Sequence, residues 1–320
     1  MTMKKNNLWK WGVAVVAVYV FTFKAYAETV NVKVRVLDQN GDPVVGVKID
    51  CDSHMALRRK QDERHKNLVQ TTNEKGTAMI KSLKRAMSER VYLKKEGFYS
   101  TRSFTMVPLS KSYPPKDPIE LTIKKIKNPI PMYAKEYISK SVRLPRYNGE
   151  KFGYDLMVGD WVMPYGKGKS ADFIFQFDGL ASSQPYGSLE HYDNKINVHF
   201  SNEKDGIIAY KALSEEGFRC GSGFVSDYRA PEEGYQAEWV QRTWKEKGSY
   251  HQTTKDMDRN FYFRVRTKVD AKGNIVSAHY GKIYGDFMRF IYYLNPTSND
   301  RNVEFDRKKN LFKEEKVDRP

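Results

Sequence analysis

VLDQNGDPVVGVKID, residues 36–50, decides the fold of the N-terminal part. Asn40-Gly41-Asp42 is a turn signal, because glycine adopts positive φ without a steric cost and Asn and Asp hydrogen-bond back to their own backbone. Pro43 opens a second strand, since proline donates no hydrogen bond and is excluded from a strand interior. Upstream, Val30, Val32, Val34 and Val36 alternate with Asn31, Lys33 and Arg35, the period of a half-buried strand. Downstream, Val45, Val47 and Ile49 alternate with Val44, Gly46 and Lys48. The stretch therefore reads as strand, tight turn and a strand that starts on proline.

The same alphabet continues. Asn73 to Gly76 is a turn, with Ala78 and Ile80 as core residues after it. Val91 and Leu93 precede a turn at Glu96-Gly97, and Ile119, Leu121 and Ile123 close the set against Glu120, Thr122 and Lys124. A basic insert, roughly 53–69, has no clean period.

The pattern D-x-N-G-x-P-V-x-G-V-x-I, carried by Asn40, Gly41, Pro43, Gly46 and Val47, is joined by Thr72, Asn73 and Gly76 and by the Gly97-Phe98 pair. Together they resemble the carboxypeptidase-regulatory-like domain, and the resemblance covers about residues 28–126. It implies a transthyretin-like β-sandwich and says little about function, since fold alone does not carry activity. The peptidase's zinc ligands belong to another domain and have no counterpart here. Some relatives carry a Lys–Asn isopeptide bond. Lys33 falls on the polar face of the first strand, away from the core position such a bond needs.

The start of the chain reads as an export signal. Lys4, Lys5 and Lys10 precede an apolar run over 12–23, too short to span a bilayer, and Ala25-Tyr26-Ala27 fits small-x-small cleavage. The expected mature chain begins at Glu28 and is periplasmic or secreted from a bacterium, the alternative being an uncleaved anchor. The formal charge is +16, and removing Lys4, Lys5, Lys10 and Lys24 leaves +12. Export argues against nucleic acid as the partner of this charge. Anionic glycan, lipopolysaccharide or a membrane surface remain, beside a merely solvated basic surface. No later apolar run is long enough to span, so no membrane span is expected after cleavage.

Seven prolines fall between 108 and 149, and the segment 127–149 with Pro129 and Pro131 is expected to be a linker. Residues 150–296 are again strand-like. Phe173, Phe175 and Phe177 alternate, as do Ile196, Val198 and Phe200, and Phe261, Phe263 and Val265. Long helical patterns are absent. The expectation is an all-β protein with a second β-sandwich or jelly-roll-like domain, followed by a charged tail, 297–320, that wraps the surface and frays. The block around GYDLMVGDWVMPYGKGKSADFIF, with KIYGDF and LNPTSNDRNVEFD, resembles a β-rich module of uncharacterised exported bacterial proteins that bear the same N-terminal domain.

Chemistry is sparse. Histidines 54, 65, 191, 199, 251 and 279 form no metal-binding motif, and neither a metal nor any other cofactor is expected. Cys51 and Cys220 permit one disulfide in an oxidising compartment or stand as two buried thiols. Asp155, Asp160 and Asp178 sit at strand ends, where two of them facing across a cleft would make a glycan hydrolase. YGKGKS, 165–170, reads as a Gly-Lys turn. Aromatic rings are the stronger signal, because exposed rings stack on sugar faces while buried ones fill a core. Trp161 reads as core. Trp239, Trp244, Tyr250 and Tyr192 are the candidate ligand-binding residues. The expected function is noncatalytic recognition of a glycan, envelope polymer or surface protein, against a hydrolase and a purely structural envelope component as alternatives.

Overall fold

The computed structural model describes residues 29–53, 68–83, 88–106, 117–138, 149–179, 191–211, 221–256, 259–287 and 289–320. The leader, most of the basic insert, His54, His65 and Cys220 lie outside the described residues. The protein is all-β, as the alternating patterns predict. It divides into two compact units, 1–125 with 220–222 and 126–219 with 223–320.

The first unit contains β1 (Thr29–Leu37), β2 (Lys48–Cys51), β3 (Gln70–Thr71), β4 (Thr77–Leu83), β5 (Ser88–Lys94), β6 (Thr101–Met106) and β7 (Ile119–Thr122). Three strands form one sheet, β4-β1-β7, with β1 and β7 parallel. The other sheet runs β6-β5-β2-β3 and is completed beside β6 by the two-residue strand at Gly221–Ser222. Both sheets contribute to one core: Val32, Val34 and Val36 from β1, Ile49 and Cys51 from β2, Val91 and Leu93 from β5, Leu121 from β7.

The opening stretch folds differently from its period. Asp38 Oδ1 accepts the Asn40 and Asp42 N–H groups and Gly41 takes φ +87°, so the turn forms where the residues place it. Pro43, however, makes only an isolated bridge to Leu37, and β2 does not begin until Lys48. Gly46, at φ +71°, breaks the run and hands the chain from one sheet to the other. The alternation slips by one there: Val44, Val47 and Ile49 are buried and Val45 is exposed. At the second turn Asn73 Oδ1 accepts the Lys75 and Thr77 N–H groups. Gly76 lies so close to β1 that a Cβ would come within 2.7 Å of the Val36 carbonyl oxygen, a contact only glycine tolerates.

The second unit contains β8 (Ile130–Ile138), β9 (Lys151–Asp155), β10 (Asp160–Trp161), β11 (Phe173–Asp178), β12 (Tyr192–His199) and β13 (Gly206–Lys211). After β14 (Gly221–Ser222), the strand lent to the first unit, come β15 (Glu238–Lys245), β16 (Gln252–Thr253), β17 (Arg259–Val269), β18 (Ile275–Asp286), β19 (Arg289–Leu294) and β20 (Phe305–Asn310). Two six-stranded sheets result, β10-β9-β11-β12-β15-β16 and β13-β17-β18-β19-β8-β20. An aromatic core between them takes Phe152, Trp161, Phe173, Phe175 and Phe177 from the first and Phe261, Phe263, Phe290 and Tyr292 from the second. The second sheet is buried on its other face as well, where Met132, Ala134, Tyr284 and Tyr293 pack against Phe305 and Val317, and Tyr262 and Tyr280 against Ala230 and Val303.

Two sequence expectations are corrected here. The segment read as a linker carries β8, with Met132 and Ala134 fully buried, because its alternation continues across Pro131 at the strand's start. The tail read as fraying carries β20, parallel to β8, and returns Val317 to the core. Asn310 fixes it by exchanging hydrogen bonds with the Ala134 N–H and carbonyl, and the Tyr293 hydroxyl donates to the Arg319 carbonyl.

Candidate functional site

The six-stranded sheet led by β10 has one face in the aromatic core and one turned outward. Alternation assigns its residues. On β12, Tyr192, Asn194, Ile196 and Val198 point inward, and Asp193, Lys195, Asn197 and His199 outward. Register then aligns the outward residues into cross-strand rows, where neighbouring side chains meet at about 5 Å. Asp178 of β11, Lys195 of β12 and Arg242 of β15 form one row. Lys151, Gln176, Asn197 and Val240 form a second, across β9, β11, β12 and β15. Asp193, Trp244 and Gln252 form a third, across β12, β15 and β16.

These rows are linked. Arg242 grips Asp193 with two parallel hydrogen bonds, Nε to Oδ1 at 2.8 Å and Nη2 to Oδ2 at 2.9 Å. Those bonds hold the Asp193 carboxyl below its ordinary value, with the charges of Arg242 and Lys195 adding to the effect. The same guanidinium lies 4.7 Å from the Trp244 ring centroid. A planar cation stacked on an indole and tied by a fork to a carboxylate is a rigid arrangement. In the adjoining row the Asn197 side-chain amide donates to Asp178 Oδ2 at 2.8 Å. The face thus offers a ring beside fixed carboxylate, amide and ammonium groups.

The four candidate rings do not converge. Trp239 and Trp244 lie on opposite faces of β15, five residues apart on a period of two. Trp239 packs edge-on against Phe261 at 5.1 Å, on the core side. Tyr192 also points inward, and its hydroxyl bonds to His251 Nδ1. Trp244 is on the outward face. Tyr250, in the turn from β15 to β16, is 93% exposed. Arg242 and Asn197 belong to the site and were not singled out by sequence, and Asp178 stood out only as a strand-end acid, because only strand register brings them together with Asp193.

The strand-end acids have other work. Asp155 is buried and accepts the N–H groups of Met157, Val158, Lys169 and Ser170. Arg266 donates to it at 2.7 Å and to both oxygens of Asp172. Burial raises the Asp155 carboxyl, but the three backbone donors Lys169, Ser170 and Val158 and the Arg266 charge outweigh it and hold the group below its ordinary value. Asp172 is raised by burial in spite of Arg266. Asp160 accepts the Trp161 and Lys167 N–H groups, so the Gly-Lys turn is organised around carboxylates. Cys51 is buried, and its thiol contacts the Lys81 carbonyl at 3.9 Å. Its pairing with Cys220 lies outside the described residues. Among the described residues no group of three metal-ligating side chains occurs, and no helix is long and apolar enough to cross a membrane. No family model matches the chain, and no curated protein matches it.

Proposed function

We propose that the protein is an exported, noncatalytic binding protein that recognises a glycan of the cell surface or envelope through the outward face of β9, β11, β12 and β15. On this reading the first unit is a carboxypeptidase-regulatory-like sandwich that serves as a spacer. The observation that carries the reading is Trp244 with Arg242 stacked on it and clamped to Asp193, beside the Asp178–Asn197 pair. Sugar recognition asks for an apolar ring face and a few fixed polar groups that orient hydroxyls. Beside the half-buried Trp244, the exposed Tyr250 adds a second ring in the turn that follows the same strand. The hydrolase alternative asks for two carboxylates free to exchange protons across a cleft, whereas Asp155 is taken up by backbone donors and Arg266, Asp160 by the Trp161 and Lys167 N–H groups, and Asp178 by the Asn197 amide.

The test is affinity electrophoresis of the chain without residues 1–27 in neutral and acidic polysaccharides, at low and high salt. Retardation by a polysaccharide that survives salt is expected. Trp244→Ala weakens it by about tenfold or more, the scale of an aromatic hot spot, and leaves the fold intact. Trp239→Ala lowers the thermal midpoint instead. Retardation lost in salt would reduce the face to an electrostatic footprint, and no retardation by any glycan would remove the reading.

A further inference from the structure

One end of the second unit is built unlike the polar face. Residues 268–276, the tip of the β17–β18 hairpin, are all exposed. Three of them are branched aliphatics: Val269, Ile275 and Val276, at 48%, 38% and 58% exposure. Asp270, the exposed acid of the tip, accepts the Lys272 and Asn274 N–H groups and the Asn274 amide with its carboxylate. Lys268 and Lys272 make no ion pair among the described residues.

The base of the hairpin is fixed. Arg266 ties it to Asp155 and Asp172, and Asp205 accepts the Arg266 and Thr267 N–H groups. The same bonds show which loops share this end. The turn after β9 carries Val158, 40% exposed. The loop before β11 carries Lys169, whose N–H binds Asp155, and the loop before β13 carries Lys204, whose carbonyl accepts from Arg264. Lys169 and Lys204 are both exposed, and Glu203 is the exposed acid beside them. The end therefore carries three exposed aliphatics at its tip, with four lysines against the two acids Asp270 and Glu203.

The geometry points to a membrane-surface docking tip. The β17–β18 hairpin places Val269, Ile275 and Val276 in the headgroup boundary of an anionic phospholipid bilayer. Lys268 and Lys272, with Lys169 and Lys204 behind them, meet the phosphates. Branched aliphatics offer a sugar neither a flat ring nor a hydrogen bond, but they suit acyl chains. Lysines at the rim keep their ammonium groups at phosphate level while their stems lie along the apolar boundary. Apolar insertion and attraction to anionic lipid add in such contacts. A hairpin anchored at its base loses little freedom on docking. This surface is separate from the glycan face and does not depend on it.

The experiment is co-sedimentation of the purified protein with vesicles of phosphatidylcholine alone or mixed in equal parts with phosphatidylglycerol. Binding to the mixed vesicles only is expected. Val269→Thr/Ile275→Thr/Val276→Thr and Lys268→Glu/Lys272→Glu each weaken it by about tenfold or more. Thermal midpoints stay near wild type, since these side chains face solvent, and Trp244→Ala binds vesicles like wild type. Three results overturn the inference. One is no binding to the mixed vesicles. Another is binding that charge reversal removes but the threonine variant keeps, which leaves only a basic footprint. The third is loss of self-association, by light scattering, in the threonine variant without loss of vesicle binding, which makes the tip a contact between copies.

Discussion

Arg266→Leu is expected to destabilise the second unit by about 3–5 kcal/mol, the usual cost of removing one partner from a buried ion cluster. The substitution leaves two carboxylates, Asp155 and Asp172, in a buried site with no cation. In a unit of this size the loss lowers the thermal midpoint by about 6–20 °C. The backbone supplies a control. Arg266 sits at φ +55°, at the register shift between β17 and β18, a conformation that costs a non-glycine residue about 1–2 kcal/mol. Arg266→Gly relieves that cost while losing the same ion pairs. It should therefore be less damaging than Arg266→Leu. If the two variants are equally unstable, the backbone contributes nothing and the whole effect lies in the charges.

The pH dependence follows from the same cluster. In the wild type the folded-state pKa of Asp155 is depressed. Its stabilising contribution is present above the unfolded value and is lost as pH falls through the folded one. Asp172 is shifted upward and acts in the opposite sense, favouring the folded state below its unfolded value and losing that contribution as pH rises through the folded one. Removing Arg266 pushes both carboxyls upward. The variant's folded state then gains relative to wild type as the acids protonate. The stability gap between wild type and Arg266→Leu should narrow from pH 7 to pH 4 in urea titrations. A gap that is constant over that range would show that the cluster does not titrate with folding.

How much of this was legible depends on whether a feature needs register. The valines of β1 and the phenylalanines of β11 declare themselves, because a period of two with one buried face is written along a single strand. Trp161, read as core, is buried against Tyr154 and Phe175. β20 was hidden for the opposite reason. Its sequence, FDRKKN, buries only Phe305 fully, and backbone pairing with β8 and the Asn310 side chain hold it in place. β8 was hidden by the prolines around it. Gly46 misled the strand reading, since nothing in the alternation says whether a glycine sits within a strand or hands the chain to another sheet. The polar face lay furthest from view. Asp178, Lys195 and Arg242 come from three strands, and only their pairing makes them neighbours. The tryptophan signal was half informative for the same reason. Composition flags Trp239 and Trp244 alike, and parity along β15 separates them.

Phe263→Ala is the second large expected loss, about 3–5 kcal/mol by urea denaturation, as for a fully enclosed aromatic ring. Phe263 is completely buried, stands edge-on to Phe173 at 5.2 Å, and so joins the two sheets of the second unit. Its ring also covers Gly281 on the next strand. A Cβ at position 281 would overlap that ring on one side and the Tyr293 carbonyl on the other. Gly281→Ala should therefore cost about 1–3 kcal/mol in the wild type. In the Phe263→Ala background the ring is gone and the carbonyl remains, so the cost should fall without vanishing. The difference is a coupling of about 0.5–3 kcal/mol. Additive losses would mean that the ring does not press on Gly281. A cost that vanished would mean that the carbonyl can move aside. That second outcome is opposed by the burial of this sheet on both faces. On the side away from Phe263 lies Lys282, wholly enclosed, donating to the Tyr284 hydroxyl at 2.9 Å and lying 4.2 Å from the Phe224 ring centroid and 4.7 Å from that of Tyr293. A strand packed in this way has no free side toward which to relax, and for that reason the residue at 281 has to be glycine.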